Sequence, residues 1–309
     1  MKKFLPLALL FAGLLAHAQE GPLPTQALIA VDSKDAPKLV AADLTLSVNG
    51  KKVPLTNFSQ VIPTESQVAL LIDDGLRTSV GRELDNLRTF VTSLPAGTEI
   101  FIGYMQNGGV QQVTYFTTDH AAAASKIRLP VGIPGVSASP YFCLSQFVKQ
   151  WPREGFDATS AARKARFVLM ITNGVDPYNG STRLANQNSP YVETAQRDAQ
   201  RAGVSVSSIY FGDAGIRGGS ANFSGQSYLI QVAAATGGRS FYNMSGSPVS
   251  LAPYLQQFQE SLAQTYRADF EVAGKGLVSL RVKSNVPHVK LRAPEEVQPG
   301  NIGMVPNNR

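Results

Sequence analysis

The stretch Gln67 to Ser79, QVALLIDDGLRTS, decides the fold. An apolar run, Val68 to Ile72, stops at two carboxylates, Asp73 and Asp74, and a glycine, Gly75. Beyond Leu76 the chain turns polar. It then reads as a helix from Gly81 to Leu94, with Leu84, Leu87, Val91 and Leu94 at helical spacing. An apolar strand that ends in acid and feeds an amphipathic helix is how an open α/β sheet begins. In such sheets ligands sit at the carboxyl ends of the strands, so any chemistry should centre on Asp73.

Working outward, strand and helix signals alternate. Glu99 to Met105 reads as a strand, Asn107-Gly-Gly as a hairpin turn, and Val110 to Phe116 as its antiparallel partner. Asp119 to Ile127 and Pro140 to Trp151 read as helices around the loop Leu129 to Ser139. Arg166 to Thr172, RFVLMIT, is the apolar run of a strand buried on both faces. A polar loop, Asn173 to Gly180, leads to a helix from Tyr191 to Ala202 that Gly203 ends. Val204 to Phe211 is a further strand. Gly212 to Gly225 reads as a mobile glycine-rich loop, followed by a helix from Gln226 to Ala235, a short strand from Arg239 to Tyr242, and a last helix from Pro248 to Thr265. This alternation predicts a doubly wound, mostly parallel α/β sheet of Rossmann-like type with one antiparallel edge strand.

The flanks are different. Gln26 to Val31 and Asp43 to Val48 alternate as strands, and Asn49-Gly50 predicts a hairpin with a return strand over Lys51 to Phe58. Short strands recur at Ala268 to Val272, Leu277 to Val282 and His288 to Leu291. The two ends are therefore expected to build a small β unit. The expected division is a leader over 1–18, an N-terminal β segment over 19–66, the α/β domain over 67–265, a C-terminal β segment over 266–297 and a disordered tail over 298–309.

Composition narrows the function. The chain has 309 residues, 43% hydrophobic and 16% charged, which suits a globular protein with a real core. Lys2 and Lys3, the apolar run Phe4 to Leu15 and Ala16-His17-Ala18 have the form of a secretory signal peptide, too short for a membrane span. A secreted or periplasmic protein with no membrane span after cleavage is expected. Removing the two lysines takes the formal charge from +6 to +4, and no basic run reaches the density of a nucleic-acid footprint. The single cysteine, Cys143, lies in the apolar stretch Tyr141-Phe-Cys-Leu and reads as a buried small hydrophobe. Only His120 and His288 remain after processing, so a histidine-rich metal site is excluded.

Three loops should meet at the carboxyl edge of the sheet. They carry Asp73-Asp-Gly-Leu-Arg77, Ser137-Ala-Ser139-Pro140, and Thr172-Asn-Gly-Val-Asp176. With these loops the chain resembles the von Willebrand factor A family, in its secreted bacterial, VWFA-related branch. Ala235-Thr-Gly-Gly-Arg-Ser-Phe resembles that family's late Thr-Gly-Gly segment, and Asp43 to Leu55 resembles the β segment that precedes the domain in this branch. The resemblance implies a metal-ion-dependent adhesion site, in which Asp-x-Ser-x-Ser, a Thr before a helix and Thr-Asp-Gly hold a divalent cation. Here Asp73 matches the first acid and Ser139-Pro140 the Thr-Pro position, but Gly75 and Arg77 stand where hydroxyls should be and Asn173 replaces the third-loop acid. Arg77 brings a fixed positive charge that would pair with Asp73 and lower its pKa. The departures favour a degenerate site without a cofactor. A weak Mg or Mn site on Asp73, Ser139 and Asn173, with Asp74 or Asp176 in support, is the alternative.

The expected function is an exported, non-enzymatic interaction module. It would bind a protein partner through Asp73, Asp74, Gly75, Arg77, Ser139, Asn173, Asp176 and Tyr178 at the sheet edge. The other readings are a metal-dependent adhesion domain and a structural component of an envelope assembly whose β tail adds to a partner's sheet. An enzyme is disfavoured. The sequence has no Gly-x-Ser-x-Gly elbow, P-loop or His-Glu-x-x-His, and neither His120 nor His288 is placed as a base.

Overall fold

The computed structural model describes residues 21–33, 37–76, 78–132, 139–152, 164–177, 188–212, 218–242 and 249–302, with only the backbone of 78–79 and 218–222. The expected leader, Arg77 and Tyr178 lie outside the described residues.

The centre is a six-stranded sheet. Its strands are β5 (Ser66–Asp73), β6 (Glu99–Gln106), β7 (Gly109–Gln112), β8 (Ala165–Thr172), β9 (Val204–Tyr210) and β10 (Ser240–Phe241), in the spatial order β10-β9-β8-β5-β6-β7. All neighbours are parallel except β6 and β7. The antiparallel partner is shorter than its sequence suggested and ends at Gln112, with one more bridge between Ile100 and Thr117. Asn107 and Gly108 both take positive φ, as the two-residue turn requires.

Period-two alternation assigns the strand side chains to opposite faces. Val68, Leu70 and Ile72 of β5, with Phe167, Leu169 and Ile171 of β8, join one apolar cluster. Over it lie α1 (Leu84–Thr92), α2 (His120–Ser125) and α6 (Ala252–Ala263), which contribute Leu87, Phe90, Val91, Ala123, Leu255 and Phe258. Ala69, Leu71, Val168 and Met170 point the other way, into a second cluster. That face is covered by α3 (Pro140–Lys149), α4 (Pro190–Ala202) and α5 (Gly218–Thr236). The result is a three-layer, doubly wound α/β fold.

Three helices differ from expectation; the last of them, expected over Pro248 to Thr265, runs only over Ala252–Ala263, and Thr265 begins a strand. The segment after Leu76 starts as a 3-10 turn over Thr78–Glu83 and becomes α-helical only at Leu84. The glycine-rich segment expected as a loop to Gly225 is helical from Gly218 onward.

The chain ends form two further sheets. One has the order β13-β1-β11-β4, from Leu291–Arg292, Leu23–Val31, Thr265–Val272 and Leu55–Gln60. The other is β14-β12-β2-β3, from Glu296–Val297, Val278–Ser284, Leu44–Val48 and Lys51–Lys52. The turn at Asn49 and Gly50 has positive φ at both residues and joins β2 to β3. The return strand does not continue to Phe58 in that sheet. Pro54, which cannot donate to a ladder, separates β3 from β4, and β4 pairs with β11 in the other sheet. Nor is the tail free from residue 298. Asn301 is buried, and its side chain accepts from the Gln26 N–H at 2.7 Å and donates to the Gln26 carbonyl at 2.8 Å. Residues 303–309 lie outside the described residues.

Candidate functional site

The chain leaves β5 for α1 on one face and reaches β8, on the other side of β5, through α3 on the opposite face. The strand order therefore reverses beside β5. The crevice of such a sheet lies outside the carboxyl ends of the strands at this point. Asp73 ends β5 and Thr172 ends β8.

The two side chains bond directly. Thr172 Oγ1 donates to Asp73 Oδ2 at 2.7 Å, and the Gly75 N–H donates to Oδ1 at 2.9 Å. Thr172 Oγ1 also accepts the Gly174 N–H at 3.1 Å. One carboxylate thus fixes the first loop to the third. Burial lifts Asp73 to about 6, against the two hydrogen bonds that lower it and with the nearby Asp74 charge raising it further. Desolvation is the largest influence on Asp73. The lowering expected from an Arg77 guanidinium close to Asp73 falls on a residue outside the described ones.

The neighbouring acid serves a different loop. Asp74 is fully buried, and its Oδ1 accepts from Arg128 Nη1 at 2.8 Å and from the Val131 N–H at 3.1 Å. The Asp74 carbonyl accepts the Gly132 N–H at 2.9 Å. Arg128 lies over the Tyr104 ring, 3.9 Å from its centroid, and the Tyr104 hydroxyl donates to the Arg128 carbonyl at 2.6 Å. Asp74 is therefore a buried tie for residues 128–132 through Oδ1, while its Oδ2 is buried without a hydrogen-bond partner among the described residues.

The other predicted residues are also internal. Ser139 is buried and caps α3, accepting the Tyr141 N–H at 3.3 Å. Asn173 Oδ1 accepts the Val175 N–H at 2.9 Å. Asp176 accepts from Ser189 Oγ at 2.8 Å, and Ser189 in turn caps α4. The Tyr141 hydroxyl donates to the Gly174 carbonyl at 2.8 Å. The structure places Asp73, Gly75, Ser139, Asn173 and Asp176 at one edge and buries them together with Asp74. They hold the loops in place and do not themselves form a contact surface. Thr172 is the residue the sequence reading left out of the site. Its signal was its position as the last residue of an apolar strand, facing an acid at the end of the next strand.

Among the described residues the edge exposes several apolar side chains. Val131 is 71% exposed although its backbone is bonded to Asp74. Leu129 is 42% exposed beside it. Phe223 is 56% exposed on α5, two residues before Gly225, whose Cα packs against the Asn173 carbonyl.

For a cation, Asp73, Ser139, Thr172 and Asn173 offer one carboxylate, two hydroxyls and an amide oxygen, each already accepting a backbone or side-chain hydrogen bond, while the Asp74 and Asp176 carboxylates of the same loops are engaged by Arg128 and Ser189. Hard divalent cations take six or more oxygens, commonly including more than one carboxylate, so this set fits poorly. Among the described residues no cluster of three His, Cys, Asp or Glu side chains is arranged to hold a metal. His120 is tied to the Thr98 carbonyl at 2.7 Å, at the opposite end of the sheet, and Cys143 is buried with its thiol pushed up to about 12. A polar cleft of about 530 Å³ between α4 and the β12–β14 edge is lined by Glu193, Arg197, Arg281 and Glu296, far from this edge in the topology.

The chain is similar to solved von Willebrand factor A structures. One is the von Willebrand factor type A protein from Catenulispora acidiphila, at 12% identity and a TM-score of 0.43, over 90% of this chain and 74% of that one. Another is the ArnB paralog VWA2 from Sulfolobus acidocaldarius, at 9% identity and a TM-score of 0.41, over 89% and 76%. The SpRpn10 VWA domain matches at 10% identity and a TM-score of 0.40, over 62% and 93%. No family description matches the sequence, and no curated protein matches it. Among the described residues no helix is long and apolar enough to cross a membrane.

Proposed function

We propose that this protein is an exported, non-enzymatic interaction module of von Willebrand A type that binds a protein partner at the carboxyl edge of its sheet without a metal ion. The observation that carries this reading is the pairing of a buried polar network with an exposed apolar rim. Asp73 and Thr172 bond one another and the adjoining backbone, and Asp74 ties residues 128–132 through Oδ1 while its buried Oδ2 has no hydrogen-bond partner among the described residues; together they hold the loops in place. Val131 and Phe223 then stand out from those fixed loops. Preorganised apolar anchors with a polar surround are the usual centre of a protein interface. The absence of a histidine near Asp73 among the described residues supports the non-enzymatic part, and the leader-like first 18 residues support export.

The metal part is tested by thermal unfolding in EDTA and in millimolar Mg²⁺, Mn²⁺ or Ca²⁺. A ligand that binds only the native state must raise the midpoint. The midpoint should not move. A rise of several degrees that Asp73→Ala abolishes would replace this reading with a metal-dependent adhesion site on Asp73 and Ser139. The partner part is tested by a photo-crosslinking residue at Val131 or Phe223 in the native cell. Discrete adducts are expected there and none at exposed Thr92, at the far end of α1. Equal adducts at all three positions would remove the edge as the binding face.

A further inference from the structure

We infer that the outer edge of β4 is a self-association site, where a second copy of this chain pairs antiparallel with β4 to make one continuous sheet. The six edges of the three sheets are not alike. Five are blunted: β10, β13, β14 and β3 are two residues long, and β7 is four. β3 is moreover Lys51–Lys52, a pair that resists edge pairing. β4 is six residues long, LTNFSQ, and no charged residue occurs between Val53 and Thr64.

Its free side carries backbone groups able to pair. The Val61 N–H donates to the Thr265 carbonyl at 2.9 Å, so the antiparallel alternation turns the N–H and C=O groups of Phe58 and Gln60 away from β11. Among the described residues these groups have no protein partner. Ile62, just past the strand, is 49% exposed, and Val40, in the turn that packs beside β4, is 61% exposed. These add apolar surface at the same margin. The strand itself is anchored behind this edge by the stacking of Phe58 on Tyr266, with ring centroids 4.8 Å apart and planes 5° apart.

The charges around the strand select the occupant and its direction. Lys51 and Lys52 precede β4 and Glu65 follows it. A two-fold axis at Ser59 sets β4 antiparallel to its copy, with each Phe58 opposite the other's Gln60, the residues whose backbone groups face outward. Each copy's lysines, on β3 just before Pro54, then lie toward the other's Glu65, which Arg267 of its own chain also meets at 3.2 Å, with no like charges opposed along the strand. Parallel addition would bring lysines beside lysines. An isologous contact of this kind closes on itself, so it gives a dimer with one eight-stranded sheet from two four-stranded ones, and not a filament. The interface is on the β unit, away from the Val131 and Phe223 rim, and is independent of the partner proposed there.

The test is sedimentation velocity of the purified protein from about 1 to 200 μM, a range in which mass action reveals a weak dimer. A concentration-dependent dimer is expected. Thr56→Lys and Gln60→Lys, both at exposed positions of β4, should each weaken it by about tenfold or more; Thr56→Lys should leave the thermal midpoint of the dilute monomer unchanged, whereas Gln60→Lys also removes the side-chain bond to the Ala263 carbonyl and should lower it slightly. As a readout that needs no variant, hydrogen exchange at the Phe58 and Gln60 amides should slow as concentration rises. A wild-type monomer throughout the range would overturn the inference. So would a dimer that both lysine variants leave intact, or exchange at these amides that does not depend on concentration.

Discussion

At the scale of single residues, Asp73 shows how a buried acid can fasten loops at an energetic cost. Its neutral form is favoured in the fold because burial outweighs the two hydrogen bonds it accepts. The folded pKa of about 6 lies above the ordinary value of 3.8. The folded state therefore holds its proton more tightly than the unfolded chain does. Stability from this group is fully present below pH 4 and is lost as pH rises toward 6, by up to about 3 kcal/mol at 1.36 kcal/mol per unit. Asp73→Asn, which cannot ionise, should flatten that slope. In urea unfolding at pH 4.5 and pH 7, the variant's stability relative to wild type should increase at the higher pH. An equal difference at both pH values would show that Asp73 ionises freely in the fold. The sequence made Asp73 visible because an acid ending an apolar strand has few other uses. It could not show that Thr172 bonds this carboxylate. That contact joins residues 99 positions apart and depends on β5 and β8 being adjacent.

At the scale of elements, apolar period and turn chemistry were legible, and the helix built on glycines was not. The Asn49-Gly50 and Asn107-Gly108 turns carry their reason in the residues, since both positions need positive φ. The strands β5 and β8 were legible as continuous apolar runs that only a doubly covered sheet can bury. The first turns of α5 contain Gly218, Gly219 and Gly225, a composition that argues against a helix. Packing overrides it at Gly225. The helix approaches the Asn173–Gly174 backbone so closely that a side-chain carbon on residue 225 would collide with the Asn173 carbonyl. Glycine here is a steric requirement of the loop that follows β8. Gly225→Ala should therefore destabilise despite alanine's better helix propensity, by about 1–3 kcal/mol as for other overpacked sites. A denaturant midpoint equal to or above wild type would mean that α5 can move off the loop at no cost. The split of Lys51 to Phe58 into two strands was concealed for a related reason. Pro54 marks a break, but only the tertiary structure shows that the halves join different sheets.

At the scale of the whole molecule, the chain ends are joined into the body of the fold. β1 pairs along its length with β11, from Leu23 opposite Val272 to Ala30 opposite Thr265, and β11 follows α6 after a single residue. Leu28 of β1 and Val61 after β4 belong to the same apolar cluster as β5, α1 and α6. The N- and C-terminal strands therefore share a core with the α/β sheet, so the two parts should not melt separately. Asn301 secures the outermost turn of this arrangement by bonding both backbone groups of Gln26, which lies in the middle of β1. A buried pair of this kind contributes about 1–3 kcal/mol when its loss leaves backbone groups unsatisfied. Asn301→Ala should thus lower the melting of the entire protein, and tryptophan fluorescence at Trp151, packed in the α3 face of the sheet, should report the same shifted midpoint as far-ultraviolet circular dichroism. Trp151 is the only tryptophan, and it lies in the α/β unit, distant in the topology from Asn301. A shift seen by circular dichroism and not by Trp151 would mean that the β unit unfolds as a separate body. The shared cluster around Leu28 and Val61 would then be too weak to couple the two parts.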